Sequence, residues 1–97
     1  MTTPYLGEFL GVTALIIMGD SCVANTILKK SKAEGSGWLN IITGWMVAVL
    51  VGIFVAVAAG APQADINPAV TFAKFLNGVY SLPEAIIIML AQVAGGV

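Results

Sequence analysis

The side chains able to do chemistry in this sequence are few and scattered. Five carboxylates, Glu8, Asp20, Glu34, Asp65 and Glu84, are spread over 97 residues without pairing, there is no histidine, and the one cysteine, Cys22, has no partner thiol. Acid–base catalysis, nucleophilic catalysis and metal ligation all need such groups to converge, so the sequence argues against an enzyme, a metal site or a bound cofactor. Cys22 reads as a small buried apolar residue. The chemistry that stands out is that of an amide at a helix start: Asn67-Pro68-Ala69, within DINPAVTFAKFLNG.

Pro68 has no amide hydrogen and a fixed φ, which suits a first helical position, and the Asn67 side-chain carbonyl can accept from a backbone amide one turn in. Asn77-Gly78 supplies the stop. From Pro68 to Leu76 such a helix is roughly 14 Å long, about half of a hydrocarbon core. A helix of that length can end at depth in a membrane only where its end is buried in protein or lines a watery cavity. Its N-terminus, with several unpaired amides and the Asn67 NH2, attracts lone pairs and repels cations. The preceding connection, Gly60 to Ile66, can present carbonyl acceptors to the same lumen, those of Ala64, Asp65 and Ile66 lying next to the cap. Donors and acceptors in single file suit water or a neutral hydroxylated solute. The bland reading is an ordinary helix cap beneath the lipid surface; the apolar surroundings of the segment favour the lumen.

Those surroundings are membrane-like. Hydrophobic residues make up 59% of the chain, charged residues 9%, and mean hydropathy is +0.98. A net charge of -1 offers no basic face for nucleic acid. Residues 5–28 read as a first spanning helix, the polar stretch KKSKAEGSG at 29–37 as a loop, and residues 38–59 as a second span. In the second span Gly44, Ala48, Gly52, Ala56 and Gly60 recur every fourth position, a stripe that lets a neighbouring backbone approach closely. Gly7 and Gly11 in the first span, and Ala91 and Gly95 near the end, repeat the pattern. Residues 60–77 form the connection and half-helix, Val79 to Leu82 a turn, and residues 83–97 the start of a third span that reads as truncated. The N-terminal residues Met1-Thr2-Thr3 show no leader-peptide pattern.

The motifs INPAVTFA, GEFLG at 7–11 and GWMVAVLVGIFVA at 44–56 together resemble the aquaporin and glycerol facilitator family, the major intrinsic proteins, and fall in that family's order. The resemblance implies an all-α membrane protein: an aquaporin-like first repeat of two transmembrane helices, a re-entrant half-helix carrying Asn-Pro-Ala, and the start of a third helix. It implies that Asn67, Pro68 and Ala69 form the first signature, and that Trp45 takes the place of a selectivity-filter aromatic of the glycerol-conducting type. Set against this, an indole near a span's start is also an ordinary interfacial anchor. Glu8 matches a glutamate that braces the re-entrant loop, with Gly52 as structural support in the helix contact; on the residues alone, Glu8 could equally snorkel at a span's end. Asp20 has no family counterpart.

The chain departs from the family pattern in three places. Asp65 stands where a histidine is usual, in a connection about two residues longer; Val12, followed by Thr13, stands where a threonine is usual; and the second Asn-Pro-Ala with its arginine is absent. The resemblance therefore covers one repeat and implies a second in a longer parent, which in this family assembles as a homotetramer in the cell membrane. Lys29, Lys30 and Lys32 favour a cytoplasmic loop by charge, whereas the family topology places that loop outside; the family topology is adopted. The expected function is a multi-pass passive channel for glycerol, other small neutral solutes and water. A fragment of a secondary transporter, whose folds also use broken helices, and a non-conducting structural membrane protein are the alternatives.

Overall fold

The computed structural model describes residues 4–97; residues 1–3, read above as lacking a leader, lie outside it. The described chain is all helical, in the order α1 (Pro4–Ile27), α2 (Trp38–Ala58), α3 (Pro68–Leu76) and α4 (Leu82–Gly96). Both α1 and α2 are long and apolar enough to cross a membrane. The third helix is the short one, and it covers the nine residues that its cap and stop delimit. α4 starts one residue before Pro83, because Ser81 accepts from the Glu84 amide at 3.4 Å and so caps the helix from outside.

Small residues decide how the helices meet. A Cβ placed on Gly11 of α1 would stand 2.8 Å from the Ala56 Cβ and 2.9 Å from the Gly52 carbonyl oxygen of α2; one placed on Gly52 would stand 2.9 Å from the Gly11 carbonyl oxygen. The two backbones thus touch directly, and dispersion between close backbones replaces the hydrophobic drive that lipid removes. Gly7 receives Ala61, Gly19 receives the Trp45 ring, and Gly44 receives the Cys22 side chain. Cys22 is half-buried rather than fully buried, and its Sγ lies 3.4 Å from the Asn40 carbonyl oxygen. Gly60 falls outside the expected stripe: α2 has already ended at Ala58, and Gly60 turns the chain with φ 107°.

Polar contacts fix the two ends of this pair. At one end Asn40 Nδ2 donates to Thr26 Oγ1 at 2.9 Å and to Ser36 Oγ at 3.0 Å, while the Gly35 amide donates to the Thr26 carbonyl at 2.9 Å, so the lysine-bearing loop folds onto the tip of α1. Near the other end α4 runs alongside α1, with Gly95 against the Phe9 carbonyl and Thr13 Oγ1 within 2.8 Å of the Phe9 carbonyl oxygen and 3.0 Å of that of Gly95. The outward surface is apolar: Trp38, Leu39, Ile42, Met46, Leu50 and Phe54 of α2 are all exposed. A continuous face of this kind belongs in lipid.

The glycine contacts make a direct prediction. Gly52→Val drives a branched side chain into the α1 backbone and is expected to destabilise the protein by about 1–3 kcal/mol. Gly96→Ala, whose added methyl would meet nothing closer than 3.5 Å, should stay within about 0.5 kcal/mol. Thermal unfolding in detergent micelles measures both.

Candidate functional site

The connection between α2 and α3 returns into the helix layer and carries the groups singled out in the sequence. Its conformation is unusual: Ala64 (φ 46°) and Ile66 (φ 47°) both occupy the left-handed region, which for a β-branched residue such as Ile66 is strained. Two contacts hold it there. The Ile66 side chain fills the notch that glycines leave between the first two helices, so that a Cβ on Gly11 would lie 2.9 Å from Ile66 Cγ2 and one on Gly52 3.4 Å from Cδ1. Glu8, 1% exposed, then receives the backbone. The Asp65 amide donates to Glu8 Oε1 at 2.8 Å and the Ile66 amide to Oε2 at 2.7 Å. Two backbone donors that would otherwise be buried without partners are met by one carboxylate. Glu8 does not snorkel: it is among the most buried side chains described.

Gln92 of α4 adds a third donor to Glu8, Nε2 to Oε2 at 3.1 Å, and also donates to Thr71 Oγ1 at 2.9 Å. Its own Oε1 is buried without a partner among the described residues. Reversing the amide would set that oxygen against the Glu8 carboxylate, so Glu8 fixes the orientation at the cost of one unmet acceptor. Thr71, fully buried on α3, donates in turn to Asp65 Oδ2 at 2.9 Å. The Asp65 side chain is fully buried, with Lys74 Nζ at 2.5 Å from Oδ1 and the Tyr80 hydroxyl at 2.8 Å from Oδ2. Burial, reinforced by the Asp65 carboxylate, pushes the Tyr80 phenol well above its ordinary value, which keeps it a donor.

Asn67 caps α3 from an extended backbone, its Oδ1 accepting from the Ala69 amide at 2.8 Å. The free donors at this helix start are fewer than the sequence implied. The Val70 and Thr71 amides both reach the Asn67 carbonyl, at 3.1 and 3.2 Å, and Pro68 has none. Among the described residues the exposed Asn67 Nδ2 has no partner. The carbonyl oxygens of Ala64, Asp65 and Ile66 likewise accept nothing. Asn67, Pro68 and Ala69 are exposed together at the tip of the half-helix.

Trp45 lies apart from this tip, seven positions before Gly52 along α2, or about 10 Å at helical rise. Its ring rests on Gly19 of α1, and its indole N–H is without a partner among the described residues. The exposed tryptophan at the start of α2 is Trp38, not Trp45. Asp20 is exposed and unpaired among the described residues. Sequence reasoning missed Thr71, Gln92, Lys74 and Tyr80. A signal existed: Gln92 and Lys74 are polar side chains within apolar helices, which need partners, and Thr71 and Lys74 are three apart and so share a face.

This geometry predicts that Glu8→Gln, which replaces an acceptor oxygen by an NH2 group facing a backbone amide or Gln92, destabilises the protein by about 2–4 kcal/mol. Thermal unfolding in detergent gives the size, and faster hydrogen exchange at Asp65 and Ile66 gives the location.

The comparisons with known proteins agree in kind. The model of the major intrinsic protein family matches residues 1–97. A probable glycerol uptake facilitator protein of Thermotoga maritima is 42% identical over 91 residues, covering 94% of this chain and 38% of that protein. A glycerol uptake facilitator protein of Streptococcus pneumoniae is 40% identical over 95 residues, covering 98% of this chain and 40% of that protein. A glycerol facilitator-aquaporin of Lactococcus lactis is 37% identical over 94 residues, covering 97% and 32%. The chain therefore spans 40% or less of the length of these relatives. No solved structure matches. With its spanning helices and its half-helix capped by Asn67, this chain belongs to the major intrinsic protein family.

Proposed function

We propose that this chain is the first repeat of a longer passive channel of the cell membrane that conducts glycerol, other small neutral solutes and water. The observation that carries the reading is the tip of α3. There, among the described residues, Asn67 Nδ2 and the carbonyls of Ala64, Asp65 and Ile66 have no partner, one donor and three acceptors within four consecutive residues. A solute hydroxyl both donates and accepts, so such a row replaces its hydration shell step by step, while a cation meets the positive end of the half-helix. Trp45 extends the path: its free N–H offers a second donor and its ring an apolar surface for the carbon backbone of a polyol. The glycerol facilitators among the relatives support the solute class. A second repeat, supplied by the rest of the parent, completes the wall.

The test uses the complete channel in proteoliposomes, with solute entry followed by light scattering. Asn67→Asp puts an acceptor-only charge at the tip and should lower both glycerol and water entry by about tenfold or more. Trp45→Ala should shift the ratio of glycerol to water entry. Unchanged rates in both variants would remove the site assignment, and uptake that follows an ion gradient would replace the channel by a coupled transporter.

A further inference from the structure

Solute passage does not account for the polar cluster behind the half-helix. The Asp65 carboxylate is completely buried, and donors reach it from separate places: Lys74 Nζ at 2.5 Å from the last turn of α3, Thr71 Oγ1 at 2.9 Å from one turn earlier, and the Tyr80 hydroxyl at 2.8 Å from the α3–α4 connection. Lys74 makes a further bond to Gln63 Oε1 at 2.9 Å, so one ammonium holds both the start and the end of the segment that enters α3. Among the described residues the titratable groups around the cluster are Glu8 on α1, Lys74 on α3, Tyr80 in the connection and Glu84 in the first turn of α4, and of these Lys74 is the cation.

We infer that Lys74 is a positioning residue, whose ion pair with Asp65 fixes residues 63–66 to the half-helix and thereby sets the register of the solute-facing carbonyls with Asn67. Glu8 holds the amide side of Asp65 and Ile66. The Asp65 side chain holds the same residues to α3, so the two strained φ values are clamped from both sides. Without Lys74 the buried carboxylate keeps two neutral donors and no cation, with Glu8 nearby. A lone charge buried there is costly, so the side chain turns to water and carries residues 63–66 with it.

The functional consequence rests on the channel reading above, and the test separates the two. The complete channel is compared as wild type, Lys74→Gln, and the double variant Asp65→Asn with Lys74→Gln. Glycerol entry is followed by light scattering, and hydrogen exchange is read over residues 63–71 and over α1 and α2. In Lys74→Gln, which leaves the buried Asp65 carboxylate without its cation, glycerol entry should fall about tenfold, and exchange over 63–71 should quicken by a similar factor while α1 and α2 keep their protection. The double variant strands no charge and should recover part of both losses. Unchanged entry and exchange in Lys74→Gln, or a double variant no better than the single one, overturns the inference. A wild-type channel that passes neither glycerol nor water overturns the channel reading instead, and the exchange data still decide the ion pair.

Discussion

A chain that turns back inside an apolar layer exposes backbone amides that no water can reach, and one carboxylate answers that demand here. Glu8 accepts from the Asp65 and Ile66 amides and from Gln92. Most other features of the fold are conditions for that contact. α1 must carry a buried acid near its start, α2 must end early enough for the chain to fold back, and α4 must bring Gln92 alongside. An ionised acceptor suits the position because each of its bonds is charge-assisted, and such bonds are roughly twice as strong as neutral ones.

The helix contacts set where that turn can occur. With Gly11 and Gly52 in backbone contact, α1 and α2 leave a notch of one side chain's width, and Ile66 occupies it. The left-handed φ at Ala64 and Ile66 runs against local preference, and tertiary contacts determine it: the notch on one side, Glu8 and the Asp65 cluster on the others. The next residue, Asn67, is thereby delivered to the helix start with its amide outward. Strain in the connection and order at the tip are two sides of one arrangement.

Much of this was legible in the sequence, for identifiable reasons. Asn67-Pro68 and Asn77-Gly78 bound α3 because caps and stops act within a few residues and need no knowledge of the rest of the chain. The small-residue stripe was legible at Ala48, Gly52 and Ala56, where helical period and packing coincide, and failed at Gly60, where the helix had already ended. The several free amides expected at the α3 start proved to be bonded, because the Asn67 carbonyl takes two of them. The Asp65 cluster was illegible for a different reason. Its members Gln63, Asp65, Thr71, Lys74 and Tyr80 come from two connections and a helix, and their convergence depends on a fold-back whose angle no local rule supplies. Gln92, 84 positions from Glu8, lay still further from local reach.

The direct contact of α1 and α2 also divides the molecule by its freedom to vary. A core of long side chains can absorb a substitution by repacking rotamers, but a glycine against a carbonyl has no smaller neighbour to exchange with. Drift at Gly11, Gly52 and Ala56 is therefore confined to residues of the same size or less, whereas the exposed aliphatic face of α2 can trade one apolar residue for another at little cost. Related sequences should then differ mostly on the side that meets lipid, and the inner wall should keep its shape while the surface around it changes.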